Sequence, residues 1–502
     1  MYRFLSRSVG SSGFGILYYY KTICKYKMDF GRIWGYLGRI LQLNALLMLI
    51  PLFVAFYYNE DMVPFLVTAA VSFVLGLIFS RFPLHDLDLK EAMALSALTL
   101  LTISVIGGIP LLFVFKGSVP HVTVDCFFES VSGYTTTGLT VIPQKLMDSY
   151  PKSIHFARAY YQWIGGIGII IMFLQFFSAP RIRLLYLYRS ERGEEHIGAS
   201  VKNSSREVIK IYLFYTVCGI ILLNLCGMPV FDSVFGILSA LSTGGFWYTS
   251  SQVPYINPLS RLVLMLFMLI GATETYAHRT LFRGKVRDFF GNIQVKGMFA
   301  ILLVGILLFT LSLAQNGMPI LEAIEKSAFN VVSAITTTGF SDIDYHRAGN
   351  WGDTVSIILM WIGAATNSTG GGIKIMRFLI LLGAIRWIVK RIILPPTAVA
   401  PFKLGDSTFQ EKEVLMVMGF IAAYFLFLFA GFFVLLIYGY GAIDSLFVSS
   451  SALGTSGLST LDIAALPLFP KIVLALQMLF GRLEIFPFLV LLKVMSDKLG
   501  RR

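Results

Sequence analysis

A chain of 502 residues that is 56% hydrophobic and only 14% charged is too apolar for a soluble protein, where charged residues make up about 25%. Its net charge of +13 does not point to nucleic acid. With the N-terminus inside, 33 of the 41 Lys and Arg fall in segments 1–40, 81–91, 180–210, 279–296, 374–412 and 482–502, all facing one side of a bilayer. That is the positive-inside bias, which places both termini in the cytoplasm.

Taken in chain order, residues 1–27 carry Arg3, Arg7, Lys21, Lys25 and Lys27 around a Ser/Gly-rich middle. They read as an extension outside the fold, with Met28 the more natural beginning. Ten apolar segments follow, near 41–58, 63–80, 92–115, 155–179, 208–227, 257–280, 297–315, 353–393 (interrupted), 412–438 and 468–495, each long enough to cross a membrane as a helix. Four shorter segments near 124–135, 231–242, 322–335 and 443–453 cannot span and fit re-entrant half-helices. The expected organisation is a cytoplasmic segment 1–40, a two-helix hairpin 41–82, and four units at 83–200, 201–292, 293–405 and 406–502.

A motif marks each unit: Ser132-Gly133-Tyr134-Thr135-Thr136-Thr137-Gly138, Ser239-Ala240-Leu241-Ser242-Thr243-Gly244-Gly245, Ser333-Ala334-Ile335-Thr336-Thr337-Thr338-Gly339 and Ser451-Ala452-Leu453-Gly454-Thr455-Ser456-Gly457. Its last glycines are 107, 94 and 118 residues apart. One such loop is a common turn; four in phase between long apolar segments can build a ring of peptide oxygens round an ion. Packing by small residues is the competing reading. Glycine permits positive φ, and threonine adds a hydroxyl and favours extended backbone. The half-helix before each loop turns its negative end to the cavity. Asp125, Asp232 and Asp444 lie seven residues before three of the motif serines and are expected as N-caps; Lys326 departs from the pattern in the third copy.

These residues resemble the Trk/Ktr/HKT superfamily of potassium transporters, over about residues 29–497. Phe127-Phe128-Glu129-Ser130-Val131-Ser132-Gly133-Tyr134-Thr135-Thr136-Thr137-Gly138 is similar to that family's first filter, and the two extra N-terminal helices point to its TrkH-like pore-subunit branch. The resemblance implies an all-α integral membrane fold with four helix–pore-loop–helix repeats, pseudo-fourfold symmetry and an N-terminal hairpin. It implies a potassium-binding filter at Thr136, Thr137, Gly138, Thr243, Gly244, Gly245, Thr337, Thr338, Gly339, Thr455, Ser456 and Gly457. All four filter glycines are present, which favours potassium over the sodium preferred by relatives with serine in the first loop. It also implies a homodimer in the bacterial cytoplasmic membrane, with a nucleotide-binding TrkA-like regulatory subunit docked on the basic inner loops 181–210 and 279–296.

Residues 363–374, Gly363-Ala364-Ala365-Thr366-Asn367-Ser368-Thr369-Gly370-Gly371-Gly372-Ile373-Lys374, cannot hold a good helix, since each glycine costs about 1 kcal/mol relative to Ala. By resemblance this is an intramembrane gate, with Thr369, Gly370, Gly371, Gly372, Lys374 and Arg482 as its residues; Ala364 and Asn367 stand where glycine is expected. A passive kink is the alternative. Arg482 lies inside an apolar span, where a charge usually faces a cavity or partner, and snorkelling to the interface is the other reading. Glu484, two residues on, is about 200° round a continuous helix and not its simple partner. Glycines in Trp163-Ile164-Gly165-Gly166-Ile167-Gly168 read as close helix packing. Glu274 departs from the family; it could reach the interface, pair with Arg279, or tune ion exit.

Cys24, Cys126, Cys218 and Cys226 and six scattered histidines show no metal-ligand spacing, so no transition-metal site or cofactor is expected, and potassium enters as substrate. No intramembrane Ser/Lys dyad or paired catalytic carboxylates suggests an enzyme, and a scaffold needs no matched loops. A sodium-permeable or proton-coupled carrier of the same architecture remains the rival expectation.

Overall fold

The computed structural model describes residues 30–84, 87–177, 197–249, 257–395, 400–405 and 407–499. The extension expected at 1–27 and the first part of the docking loop expected at 181–210 lie outside them. Helices Phe30–Leu47 and Leu49–Tyr57 form one arm of the N-terminal hairpin, and Val63–Phe79 forms the other. The arms approach closely because Gly38 has no Cβ; one built there would strike the backbone of Phe79 and Ser80. Inside this apolar seam, the Asn44 amide donates to Ser72 Oγ at 2.9 Å.

Four units follow, each an outer helix, a half-helix, a loop and an inner helix. The outer helices are Leu89–Gly107, Ile197–Leu225, Ile293–Gln315 and Glu411–Ile437. The first opens on a capping box, in which Asp88 accepts from the Glu91 N–H at 2.8 Å and Glu91 accepts from the Asp88 N–H at 3.1 Å, satisfying two orphan donors at once. The half-helices are Val119–Tyr134, Val230–Leu241, Ile320–Ile335 and Ala442–Leu453. Proline sets the entry of three of them, at Pro120, Pro229 and Pro319, where its missing N–H costs nothing. The aspartates expected as N-caps do not cap. Asp232 and Asp444 sit in the first turn, where the dipole still favours them, whereas Asp125 lies further in and pairs with Lys471 at 2.7 Å.

Inner helices start at Lys152, Pro258, Tyr345 and Leu468. Each half-helix is wedged between the inner helix of its own unit and that of the unit before it, and the fourth inner helix closes the circle onto the first half-helix. Sequential units therefore surround one axis. Among the described residues, five helices, or seven when two bent pairs are counted as single spans, are long and apolar enough to cross a membrane. The other three expected spans are helices too: Val63–Phe79, Lys152–Phe177, and the interrupted pair Tyr345–Ile362 and Ile375–Ile393.

Two inner helices expected to be continuous are broken. Pro258–Ala272 bends by 109° into Thr275–Phe282, and Leu468–Arg482 bends by 109° into the last helix, Phe486–Leu499. One short hairpin, β1 (Phe402–Leu404) against β2 (Ser407–Phe409), interrupts the helical pattern. Large apolar side chains such as Phe53, Leu303, Leu415 and Leu426 point outward on the periphery, as a lipid-facing surface requires.

Candidate functional site

All four half-helices stop in the same way. Thr136, Thr243, Thr337 and Thr455 take left-handed φ values of 53°, 54°, 54° and 50°. The next N–H donates back to the motif serine carbonyl: Thr137 to Ser132 at 2.9 Å, Gly244 to Ser239 at 2.8 Å, Thr338 to Ser333 at 2.9 Å and Ser456 to Ser451 at 2.8 Å. This is a Schellman-type stop, usually built on glycine. A β-branched residue there is an outlier that costs about 1–3 kcal/mol. The extended backbone expected at these threonines is therefore corrected, because the half-helix end forces them left-handed. What the threonines share is stored strain repeated four times.

Two residues on, Gly138, Gly245, Gly339 and Gly457 have φ of 93°, 72°, 90° and 85°. A Cβ on Gly138 would strike the Gly244 carbonyl oxygen; on Gly245, that of Thr338; on Gly339, that of Ser456; on Gly457, that of Thr137. These close approaches run in chain order and return to their start. The four loops thus meet about one axis, an arrangement able to replace a cation's hydration water with peptide oxygens.

Charged side chains brace the loops from behind. In the first unit Glu129, on the half-helix, accepts from Arg158 Nε and Thr140 Oγ1 at 2.7 and 2.9 Å and from the Val141 N–H at 2.9 Å. Arg158 also donates to the Trp247 carbonyl at 3.2 Å and stacks over Phe246, tying the second unit to the first. In the third unit Asp342 plays the anionic part, 3.2 Å from Lys326 and 3.4 Å from Arg261, with the Asn330 amide donating to it at 2.6 Å. The lysine that broke the aspartate pattern is thus the partner of a buried carboxylate.

Residues 363–374 pass directly beneath this ring and are bonded to three units. The Gly371 N–H donates to Thr337 Oγ1 at 2.7 Å, and Thr243 Oγ1 donates to Thr369 Oγ1 at 3.2 Å. Thr369 Oγ1 in turn donates to the Gly271 carbonyl at 2.9 Å. A Cβ on Gly371 would strike Thr455 Oγ1 and the Gly454 carbonyl, so glycine is required by close approach. Asn367 holds φ 54°, a conformation asparagine tolerates better than most, which explains its standing in a glycine position. Ala364 keeps an ordinary contact, its N–H donating to the Gly371 carbonyl at 3.2 Å.

The cations reach the same loop. Lys374 Nζ bonds the Gly370 carbonyl. Arg482, 5% exposed, donates to the Thr369 carbonyl and, at 2.7 Å, to the Gly165 carbonyl on the first inner helix. Snorkelling is thereby excluded for Arg482. Glu484 is indeed not its partner, but for another reason: the helix ends at Arg482, Glu484 and Ile485 turn left-handed (φ 59° and 64°), and Glu484 pairs with Arg377. Lys374, Arg482, Glu484, Asn367 and Ser368 line a small cavity below the ring.

Glu274 occupies the break in the second inner helix. It does not pair with Arg279, which forms an ion pair with Glu207 at 2.8 Å. It accepts from Gln294 Nε2 at 2.8 Å and Asn292 Nδ2 at 3.1 Å, while Gln294 Oε1 accepts from the N–H and hydroxyl of Thr366 at 2.9 and 2.8 Å. The glycines Gly165, Gly271 and Gly481 lie against the last carbonyl of a half-helix, those of Tyr134, Leu241 and Leu453, as close packing of the first of them implied. Sequence reasoning missed Gln162, Arg158, Glu129 and Lys471. The available signal was the presence of polar and charged residues inside otherwise apolar segments.

Among known proteins, the model of the TrkH family, described as a cation transport protein, matches residues 67–502. An uncharacterized cation transporter of Methanocaldococcus jannaschii is 33% identical over 486 residues, covering 95% of this chain and 98% of that one. The Trk system potassium uptake protein TrkH of Salmonella typhimurium is 29% identical over 484 residues, covering 92% and 98%. The crystal structure of the potassium transporter TrkH from Vibrio parahaemolyticus superimposes with a TM-score of 0.83 at 27% identity, over 93% of this chain and 99% of that one. The chain belongs to the TrkH family of cation transport proteins.

Proposed function

We propose that this chain takes up potassium across the cytoplasmic membrane, with Thr136–Gly138, Thr243–Gly245, Thr337–Gly339 and Thr455–Gly457 as its filter. The observation that carries the reading is the closed circuit of glycine-to-carbonyl approaches. A cation shedding its water there meets oxygens without fixed negative charge. Thr369–Gly372, Lys374 and Arg482 form the gate below it, because they fill the axis with backbone and two positive charges. The repeats divide at 83–200, 201–292, 293–405 and 406–502, after the hairpin 41–82, and both termini are cytoplasmic by charge bias. In this reading the chain works with a cytoplasmic nucleotide-binding regulatory subunit, since relatives carry the name of a Trk system, and as a homodimer, as the resemblance to that superfamily implies.

Reconstituted flux comparing potassium, rubidium and sodium tests the filter. Potassium above sodium is the expected result, and equal permeability would support the sodium-permeable rival. Rescue of a strain lacking its own potassium uptake, with and without the regulator, tests the partner.

A further inference from the structure

The second filter loop lacks a hydroxyl that two of the others use. At the fifth step of the motif stand Thr137, Gly244, Thr338 and Ser456. Thr137 Oγ1 bonds Thr135 Oγ1 at 2.7 Å, and Thr338 Oγ1 bonds Thr336 Oγ1 at 2.8 Å, locking each loop to the end of its own half-helix. Gly244 can make no such bond. Its place is taken from outside: a Cβ on Gly244 would fall among Cγ, Cδ and Oε1 of Gln162, a fully buried side chain on the inner helix of the first unit.

Every polar atom of the Gln162 amide is engaged on this loop. Nε2 donates to the Gly244 carbonyl at 2.6 Å, while Oε1 accepts from Ser239 Oγ at 2.9 Å and from the Phe246 N–H at 3.3 Å. Ser239 is the motif serine, so Gln162 grips the start, the ring carbonyl and the residue after the ring glycine. The Gly244 carbonyl is also the one against which Gly138 packs.

We propose that Gln162 is a positioning residue for ion selectivity, standing in for the hydroxyl absent at Gly244 and holding that carbonyl in the ring. The inference rests on the filter reading above. One carbonyl of the ring is thereby hydrogen-bonded by a protein amide, so the filter is not chemically fourfold.

The test is a crossed substitution read as the potassium-to-sodium permeability ratio of the full-length protein in liposomes. Gln162→Ala removes all three hydrogen bonds and lowers the ratio about tenfold, the effect expected from the loss of the one held to the ring carbonyl. Gly244→Thr alone collides with Gln162 and abolishes selective uptake. The double variant Gln162→Ala/Gly244→Thr restores the hydroxyl, which can bond Ser242 as Thr137 bonds Thr135, and returns the ratio to within about twofold of the parent. A purely structural glutamine would move folding yield without this reciprocal rescue. Gly138→Ser serves as the control: if it changes the ratio and Gln162→Ala does not, the inference fails while the filter reading stands; if neither changes it, the filter reading fails. Should Gln162→Ala not assemble, the double variant decides, since assembly with selectivity supports the substitution of one group for the other and failure to assemble overturns it.

Discussion

Glu129 and Arg158 close a salt bridge at 2.7 Å with both side chains out of solvent, and through it the first loop is joined to the second. Arg158 also donates to Thr140 Oγ1 and the Trp247 carbonyl. Such a pair is costly to desolvate but more costly to leave half-broken. Arg158→Met is therefore expected to destabilise the protein by about 3–5 kcal/mol. Glu129→Gln/Arg158→Met should recover part of that loss. Thermal unfolding in detergent followed by size exclusion measures both, and an unchanged midpoint for Arg158→Met would contradict the bracing role.

Gly138→Ser places a Cβ against the Gly244 carbonyl oxygen at a left-handed φ of 93°. The ring must open locally, weakening potassium preference. A penalty of about 1.4 kcal/mol specific to potassium is tenfold in selectivity. Bi-ionic permeability measurements read the ratio directly, and an unaltered value would count against the filter assignment.

Removing the cation at Arg482 should speed conduction. Taken at a separation of about 8 Å and an effective dielectric of about 20, a unit charge raises the ion's energy by about 2 kcal/mol. That corresponds to roughly thirtyfold in rate. Arg482→Ala and deletion of 368–372 are both expected to raise single-channel conductance, whereas a silent or unaltered channel in both would exclude a gate here.

Gln294 joins Glu274 to Thr366, so the break in the second inner helix and the loop 363–374 proposed as the gate share one side chain. Gln294→Leu should loosen the loop and raise open probability while leaving the potassium-to-sodium ratio unchanged. Single-channel recording separates the two quantities, and a shifted ratio with unchanged open probability would place Gln294 with the filter instead.

The repeated motif, the half-helices too short to span and the interrupted third inner helix were all legible, because each is a local pattern of residue type and length. The breaks at Thr273–Glu274 and Leu483–Ile485 were not. Both segments read as continuous apolar helices, and what rewards breaking them lies far away: Thr275 Oγ1 donates to the Asn367 carbonyl 92 residues on, and Glu484 pairs with Arg377, 107 residues back. Asp125 misled for a related reason. Its spacing suited a cap, but Lys471, 346 residues later in the chain, claims it.

By itself the sequence determined that four like loops, each entered by a half-helix, would lie within a membrane, since apolar length and Thr/Gly spacing are properties of consecutive residues. Tertiary structure alone decided that the threonines turn left-handed, that the glycines meet in a closed circuit, and that Gln162 supplies what Gly244 lacks. Those outcomes depend on which backbone oxygen lies where a Cβ would be, and that is settled only when distant segments pack together.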